Sequence, residues 1–323
     1  MLRKLSDTFL DDLKRPDGLL NRFLVRVKND HTLMMAIRKN YINIYYRGGS
    51  LIKLTECSDG GYKAEFNQNY FDDNPIKLPK SKIHELGDVN AWINIFPYLK
   101  QYIDIKFSKT QKNEREFQQV IFRENNFSSI ASSTEYFFSD IEYTPSGIGS
   151  KFRFDMLGVE WSAKQRKNGS TCRPVIVEMK YGDAAIGGTA GLGKHLTDIS
   201  DYLKTNTAEL TYQINVQMEQ MRELGLIELG KNNHKIEIVE HAKPLVLFVL
   251  SNSNPRAVTL LNAVQEIMNI FREEGSVIEQ SLGFELRFFV ANFSGYAMHK
   301  VNMLNVWQFN EVLKALRENS NPS

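Results

Sequence analysis

The apolar positions of the first 110 residues change period along the chain. Leu20, Phe23, Leu24 and Val27 recur at the three- and four-residue spacing that is typical of an amphipathic helix. Four later runs are strand-like, and turn residues rich in Gly, Asn and Asp separate them. These runs are residues 32–38, 41–47, 51–55 and 62–66. The pattern predicts a β-meander with helices, which we assign to a separate α+β module over residues 1–110.

Residues 111–323 follow a different order, in which helices alternate with strands. A helical stretch over residues 89–103, bent at Pro97, leads into them. The run 244–250 is almost continuously apolar, which is typical of a strand covered on both faces. The expected elements are a helix at 113–125, hairpin strands at 136–144 and 151–161 around a turn at 145–147, a strand at 174–181, a helix at 195–224, the strand 244–250, a helix at 256–273, a strand at 286–291 and a helix at 305–317. This order predicts an α/β fold, a mixed sheet with helices on both sides.

The composition is that of a globular protein, because 42% of the 323 residues are hydrophobic and 24% are charged. Cys57 and Cys172 lack the spacing of a metal cluster or a disulfide framework, so we expect a reducing compartment. No apolar run approaches the roughly 20 residues that span a bilayer, and the first residues do not read as a signal peptide. We therefore expect a cytoplasmic protein with no membrane partner.

The net charge of +2 conceals an uneven distribution. Residues 1–110 hold 18 Lys and Arg against 13 Asp and Glu, and the remaining residues hold 22 against 25. A basic module that contacts phosphates, joined to a metal-binding domain, would have this distribution. Ordinary scatter of surface charge accounts for it equally well, so charge alone does not decide between the two interpretations.

Three ionisable residues stand at the ends of predicted strands. Glu178 and Lys180 close the apolar strand that begins at Pro174, and Asp155 lies 23 residues before Glu178 on the second hairpin strand. Because residues i and i+2 of a strand point to the same side, Glu178 and Lys180 face one pocket while Met179 faces the other way. Two carboxylates beside an ammonium group could hold a hard divalent cation next to a phosphodiester. Alternatively, all three are exposed charges at strand ends.

In this order of elements, residues 113–292 resemble the PD-(D/E)xK nuclease superfamily, whose fold is called restriction-endonuclease-like. The likeness is carried by the hairpin with Asp155 and by the strand that ends in Glu178, Met179 and Lys180. It implies that the two carboxylates bind Mg²⁺, or Mn²⁺, with the backbone carbonyl of Met179 as a further ligand. It also implies that Lys180 orients the attacking water or helps to deprotonate it. The N-terminal module is not part of the resemblance.

Two further candidates lie on helices. Many members of the superfamily add an acidic residue from the first helix, which favours Glu114 over Glu116 and Glu124. A charge favoured by the helix dipole is the alternative. In the long helix, Gln217 falls on the apolar stripe and Gln213 at its edge, where a buried amide needs partners. Gln217 contacts either a catalytic carboxylate or a phosphate. The alternative is that it makes a structural hydrogen bond.

Residues 188–195 come close to the P-loop pattern between a strand and a helix. The pattern fails at its last position, because His195 stands where a Ser or Thr hydroxyl would coordinate Mg²⁺. A P-loop NTPase is therefore only a distant alternative. We expect a loop beside the active site, in which Lys194 and His195 contact a nucleic-acid phosphate at the helix N-terminus. The plainer alternative is a mobile connection with a solvated lysine.

These features predict a Mg²⁺-dependent phosphodiesterase that acts on DNA, with the N-terminal module recognising substrate or partner. Superfamily members serve restriction, repair and mobile-element defence, and cutting of two strands commonly uses homodimers. The alternative from another class is a nuclease-fold module that binds nucleic acid without turnover. The sequence departs from the family's pattern at Phe154, where the name-giving motif has a proline. The intact set of Asp155, Glu178 and Lys180 favours the enzyme.

Overall fold

A computed structural model describes residues 2–71, 76–127, 131–145, 153–168, 171–188, 191–229, 235–239, 241–273, 283–291 and 295–318. The chain forms two compact units, and neither unit is continuous in sequence. Unit one comprises Met1–Ser128 and Val216–Glu228, and unit two comprises Ser129–Asn215 and Leu229–Ser323. Three predicted features fall partly or wholly outside the described residues: the hairpin turn at 145–147, the first residues of the strand at 151–161, and residues 189–190 of the glycine-rich segment.

The sheet of unit one has five antiparallel strands in the order of the sequence. The strands are β1 Leu33–Ile37, β2 Tyr41–Tyr46, β3 Gly49–Glu56, β4 Tyr62–Glu65 and β5 Lys82–Ile83. Arg47 and Gly48 connect β2 to β3, and both have positive φ angles, 50° and 73°. A two-residue loop with this backbone suits the twist of antiparallel strands. The predicted β-meander is confirmed, with β5 as an additional strand.

Helices accompany this sheet: α1 Asp7–Lys14, α2 Asn21–Asn29, α3 Leu86–Asn94, α4 Phe96–Lys109 and α5 Asn113–Asn126. The bend predicted at Pro97 is a break between two helices, because α3 ends before Ile95 and Pro97 stands in the first turn of α4. There the missing amide of proline costs no helical hydrogen bond. Phe23, Trp92 and Ile44 have side chains exposed by 1% or less and belong to the core of this unit.

Helix α5 belongs to unit one, whereas we predicted that the second domain begins at residue 111. The Gly48 amide donates a 2.7 Å hydrogen bond to the Gln119 side chain of this helix. Arg47 donates at 2.8 Å to Glu116 one turn earlier. These two contacts tie α5 to the turn between β2 and β3. Polar side chains of α5 therefore hold the helix against the β2–β3 turn of unit one.

The sheet of unit two has the strand order β10-β9-β8-β7-β6. Its strands are β6 Tyr136–Tyr143, β7 Phe154–Glu160, β8 Arg173–Tyr181, β9 Leu245–Ser251 and β10 Glu285–Val290. Strands β6, β7 and β8 pair antiparallel, and β8, β9 and β10 pair parallel. Every residue of β9 is buried, as expected for a parallel strand covered on both faces. The predicted α/β class and mixed sheet are confirmed.

The remaining helices are α6 Ala163–Lys167, α7 Leu192–Glu223, α8 Val258–Glu273 and α9 Val306–Glu318. Helix α7 has 32 residues, and its residues from Val216 onward belong to unit one. Leu210, Ile214 and Met218 of its predicted apolar stripe are fully buried. No helix within the described ranges combines the length and apolar character that a bilayer span requires.

Candidate functional site

Asp155 and Glu178 stand opposite each other on neighbouring strands of unit two. The β7–β8 ladder ends with Met156 opposite Val177, and the next position along each strand opposes Asp155 and Glu178. Directly opposed residues of an antiparallel pair project from the same face of the sheet. Asp155 is 5% exposed and Glu178 is 3% exposed. The two carboxylates are therefore buried on one face, which excludes the alternative of exposed strand-end charges.

The Asp155 carboxylate accepts a backbone hydrogen bond at the point where the ladder stops. The Met179 amide donates to Asp155 Oδ2 at 2.7 Å, so the side chain takes the place of a carbonyl on β7. The amide and carbonyl of one strand residue point toward the same neighbouring strand. The Met179 carbonyl is therefore directed to the β7 side, where Asp155 lies. The Met179 side chain is fully buried.

Glu178 and Lys180 form a buried ion pair within β8. The Lys180 ammonium donates to Glu178 Oε1 at 2.6 Å, and Lys180 is 6% exposed. The two side chains are neighbours because residues i and i+2 of a strand share a face. Each charge compensates the other, and removing one partner of such a pair typically costs about 3–5 kcal/mol of stability. An ammonium group is thus held against the Glu178 carboxylate in a site largely closed to solvent.

His195 also reaches Glu178, from the first turn of α7. Its Nε2 atom lies 3.2 Å from Glu178 Oε1, the same oxygen that accepts from Lys180. The side chain is 23% exposed. We predicted a phosphate contact for His195, and the structure places it against a carboxylate that we predicted to be catalytic. Its position depends on where α7 starts relative to β8, which sequence spacing does not reveal.

Close approach of neighbouring atoms accounts for three of the glycines before and within the start of α7, whereas a Cβ atom at Gly188 would meet nothing within 4 Å. A Cβ atom at Gly193 would lie 2.5 Å from Glu266 Oε1 of α8, and one at Gly187 would lie 2.9 Å from the Thr259 side chain. At Gly191 it would lie 2.7 Å from the Ile186 carbonyl oxygen. The Glu266 carboxylate also places negative charge beside the helix N-terminus, where a P-loop would hold a phosphate. This arrangement favours a structural role for Gly187, Gly191 and Gly193.

Lys194 follows Gly193 in the first turn of α7 and forms a surface ion pair. Its side chain is 55% exposed and pairs with Asp198, one turn further along α7. A pair of this kind on a helix surface contributes only a few tenths of a kcal/mol, about 0.2–0.5. Lys194 can therefore release Asp198 at small cost and contact a phosphate, so the predicted role remains a prediction.

Glu114 and Gln217 both belong to unit one, whereas Asp155, Glu178 and Lys180 belong to unit two. Glu114 lies in the first turn of α5, as predicted for an acid favoured by the helix dipole. The Gln217 amide, which is fully buried, donates a 3.1 Å hydrogen bond to the Ile37 carbonyl of β1. This bond is the structural partner that we gave as the alternative for Gln217.

The pairing of β6 with β7 places an acidic residue, Glu142, opposite Asp155. We predicted no role for Glu142 from the sequence, although its position near the end of a predicted strand was a usable signal. The Glu142 backbone has a φ angle of 53°, and the carboxylate pairs with Arg153 at 2.7 Å. A positive φ interrupts the regular alternation of side chains along a strand. We therefore do not assign Glu142 to the site.

The donor set at Asp155 and Glu178 suits a hard cation. It consists of two carboxylates and the Met179 carbonyl, and Mg²⁺ commonly uses one or two protein carboxylates and fills its remaining positions with water and phosphate. Within the described residues, no three His, Cys, Asp or Glu side chains form a group that could hold a metal by themselves. The set fits an open magnesium site completed by substrate and water, and it does not fit a closed structural site.

Comparison with protein-family models, with curated proteins and with solved structures finds no match to this chain. The interpretation as a PD-(D/E)xK nuclease therefore stays a prediction, which rests on the order of elements and on the residues at the ends of β7 and β8.

Proposed function

We propose that this protein is a metal-dependent nuclease that hydrolyses phosphodiester bonds of DNA. The observation that carries the proposal is the burial of Asp155, Glu178 and Lys180 together at adjoining strand ends. A chain that needed only stability would gain little from this arrangement, since apolar residues of similar volume often serve a core as well or better than a buried ion pair. The ion pair therefore points to a chemical role.

Each residue of the set has a distinct task in this proposal. Asp155 and Glu178, with the Met179 carbonyl, would hold Mg²⁺ or Mn²⁺. When bound, the ion would supply positive charge at a phosphoryl oxygen and lower the pKa of the attacking water. The Met179 amide fixes the orientation of the Asp155 carboxylate. Lys180 would hold the attacking water and offset the negative charge that develops on the phosphate in the transition state.

The alternative function is a nuclease-fold module that binds nucleic acid without cleaving it. One observation favours it: Glu178 Oε1 is already engaged by Lys180 and lies within reach of His195. Metal binding at Glu178 would have to use its other oxygen or displace Lys180. If that rearrangement does not occur, the site is a self-neutralised ion pair, and only binding remains.

Cleavage of supercoiled and linear duplex DNA, with Mg²⁺, Mn²⁺ or EDTA, tests the proposal. Lys180→Ala should slow cleavage about 100-fold or more, because it removes charge stabilisation in the transition state, while leaving DNA affinity nearly unchanged. Asp155→Asn keeps an oxygen for the Met179 amide and should abolish metal-dependent cleavage. Lys204→Ala is the matched control, since Lys204 lies on α7 with 68% of its side chain exposed.

Thermal unfolding of each variant separates loss of chemistry from loss of fold, since Lys180→Ala leaves Glu178 buried without its ammonium partner. Equal cleavage by wild type and both site variants would reveal a contaminating nuclease and contradict the proposal. DNA binding without cleavage, across substrates and metals, would establish the binding module instead.

A further inference from the structure

The start of α7 presents the His195 ring to the proposed metal site. The His195 amide donates to the Gly191 carbonyl at 3.1 Å, so the residue belongs to the hydrogen-bonded first turn of a long helix. A Cβ atom at Gly193 of the same turn would lie 2.5 Å from Glu266 Oε1, so this turn lies close to a side chain of α8. Nε2 of the ring is thereby placed 3.2 Å from Glu178 Oε1 by helix backbone and not by a flexible loop.

Lys180 and His195 both approach Glu178 Oε1, and the two contacts are not equivalent. Lys180 reaches it from the same strand at 2.6 Å, through a flexible side chain. In the proposed reaction Lys180 turns to the attacking water, and its bond to Glu178 is then weakened. His195 comes from another element and has no such second task. It can therefore hold the carboxylate while Lys180 acts.

We propose that His195 is a positioning residue that fixes the Glu178 carboxylate for binding of the divalent cation. This inference rests on the proposed nuclease function. A ring nitrogen at this distance from a carboxylate oxygen carries the proton, and a protonated nitrogen cannot ligate a metal. His195 therefore acts through Glu178 and not on the cation itself. Partners that orient metal ligands in this way typically contribute about 10- to 100-fold to metal affinity or activity.

The test is calorimetric titration of the full chain with Mn²⁺ alone, without nucleic acid. His195→Ala should weaken Mn²⁺ binding about 10-fold or more. His195→Gln should recover much of the loss, because its side-chain amide can donate to the same oxygen. His241→Ala, at an exposed histidine of the same unit, should bind Mn²⁺ as the wild type does. Equal thermal unfolding of the variants shows that the fold is retained.

Two further measurements distinguish positioning from a merely structural role. In cleavage assays, His195→Ala should raise the Mg²⁺ concentration needed for half-maximal rate more than it lowers the rate at saturating Mg²⁺. Long-range nitrogen NMR of the histidine rings should find the His195 proton on Nε2 in the wild type, and Glu178→Gln should change that signal.

The outcomes separate this inference from the proposed function. If the wild type binds Mn²⁺ and His195→Ala binds it with the same affinity, the role of His195 is overturned and the nuclease proposal stays intact. A wild-type protein that binds no Mn²⁺ would overturn both. Mn²⁺ affinity that is weakened in His195→Ala and largely restored in His195→Gln would support the inference. An equal loss of affinity in the two variants would contradict it.

Discussion

At the scale of single residues, buried charge in unit two occurs at both ends of the same pair of strands. At one end Arg173 donates to Glu160 at 2.6 Å and also pairs with Glu285. At the other end Lys180 pairs with Glu178. In the first set the guanidinium bridges two carboxylates, and Arg287 and Lys300 each add a further ion pair to one of them. In the second set Asp155 stands opposite Glu178 and Lys180 pairs with Glu178, so there are fewer cations for each carboxylate than in the first set, which suits binding of an added cation.

Asp30 provides a test of electrostatics in unit one. Burial raises the pKa of its carboxyl group, but hydrogen bonds from Lys100 and Thr32 outweigh burial and lower the pKa to about 2. A folded-state pKa below the unfolded value contributes stability above the unfolded pKa, and this is lost as pH falls through the folded pKa. Asp30→Asn should therefore lower the free energy of unfolding by about 1–2 kcal/mol near neutral pH, after allowance for solvent screening.

The measurement is denaturant unfolding of wild type and Asp30→Asn across acidic and neutral pH. The difference between the two should shrink as pH falls from about 4 to about 2. Asp59→Asn is the control, because Asp59 and its partner Lys82 are both more than half exposed. Its unfolding should match the wild type at every pH. A constant difference for Asp30→Asn would show that lost packing, and not ionisation, is responsible.

Local rules predicted part of the candidate site and could not predict the rest. Strand alternation places Glu178 and Lys180 on one face whatever surrounds the strand. The opposition of Asp155 and Glu178 needed only the correct pairing of two strands, which the order of elements suggested. The approach of His195 required the position of α7 relative to β8, which depends on contacts between elements distant in sequence. Sequence spacing carries no information on such contacts.

At the scale of elements, Gly48 of the β2–β3 turn meets two requirements at once: a positive φ angle and close approach to the backbone of α5. Its φ angle of 73° disfavours any side chain, and a Cβ atom there would lie 2.6 Å from the Arg115 backbone of α5. Gly48→Ala should therefore destabilise the protein by about 3 kcal/mol or more, since it adds overlap with backbone to the strain of positive φ. The turn and the helix can thus approach this closely because Gly48 has no side chain.

Gly60 offers the matched control for this prediction. Its φ angle is 83°, but a Cβ atom there would meet nothing within 4 Å. Gly60→Ala should cost only the backbone strain, about 1–2 kcal/mol. Thermal or denaturant unfolding of the two variants measures the difference. Equal losses would mean that α5 moves away to accommodate the methyl group, and would contradict the prediction.

The helix α5 shows what hydrophobic periodicity can and cannot establish. The pattern predicted a helix at 113–125, and the structure has one at Asn113–Asn126. It did not reveal which sheet the helix accompanies, because a stripe of apolar residues fits any apolar face. The contacts that decide are polar, from Gln119 and Glu116 to the β2–β3 turn. The same limit applied to α7, whose stripe runs through residues of both units.

At the scale of the whole molecule, unit one depends on a segment that is distant in sequence. Val216–Glu228 supplies Gln217, whose amide satisfies the Ile37 carbonyl, and Gln220, which accepts from the Leu5 amide at 2.9 Å and donates to the Leu5 carbonyl at 3.0 Å. Without this segment, the Ile37 carbonyl of β1 would keep the longer 3.4 Å contact from Arg38 Nη1 but lose the Gln217 amide, and the Leu5 amide and carbonyl would lose the Gln220 side chain. Each such loss costs about 1–3 kcal/mol when the group is buried.

We therefore expect residues 1–128 alone to unfold without a cooperative transition. The same residues joined through a flexible linker to residues 216–228 should unfold cooperatively, because the linker restores the missing partners. The control is a linked chain that carries Gln217→Leu and Gln220→Leu, because it keeps the segment but lacks the hydrogen bonds of these two side chains. Circular dichroism during heating provides the measurement. A cooperative transition of residues 1–128 alone, at the temperature of the linked chain, would contradict this expectation.

Helix α7 also sets the order of events during synthesis. Residue 228 is made 100 residues after residue 128, and the strands β6, β7 and β8 are made in between. At about 5–20 residues per second, the first 128 residues wait roughly 5 to 20 s for their last segment. During that time β1 lacks the partner that Gln217 will supply. A ribosome-bound chain therefore cannot complete its N-terminal unit first, and we expect both units to mature only after α7 leaves the exit tunnel.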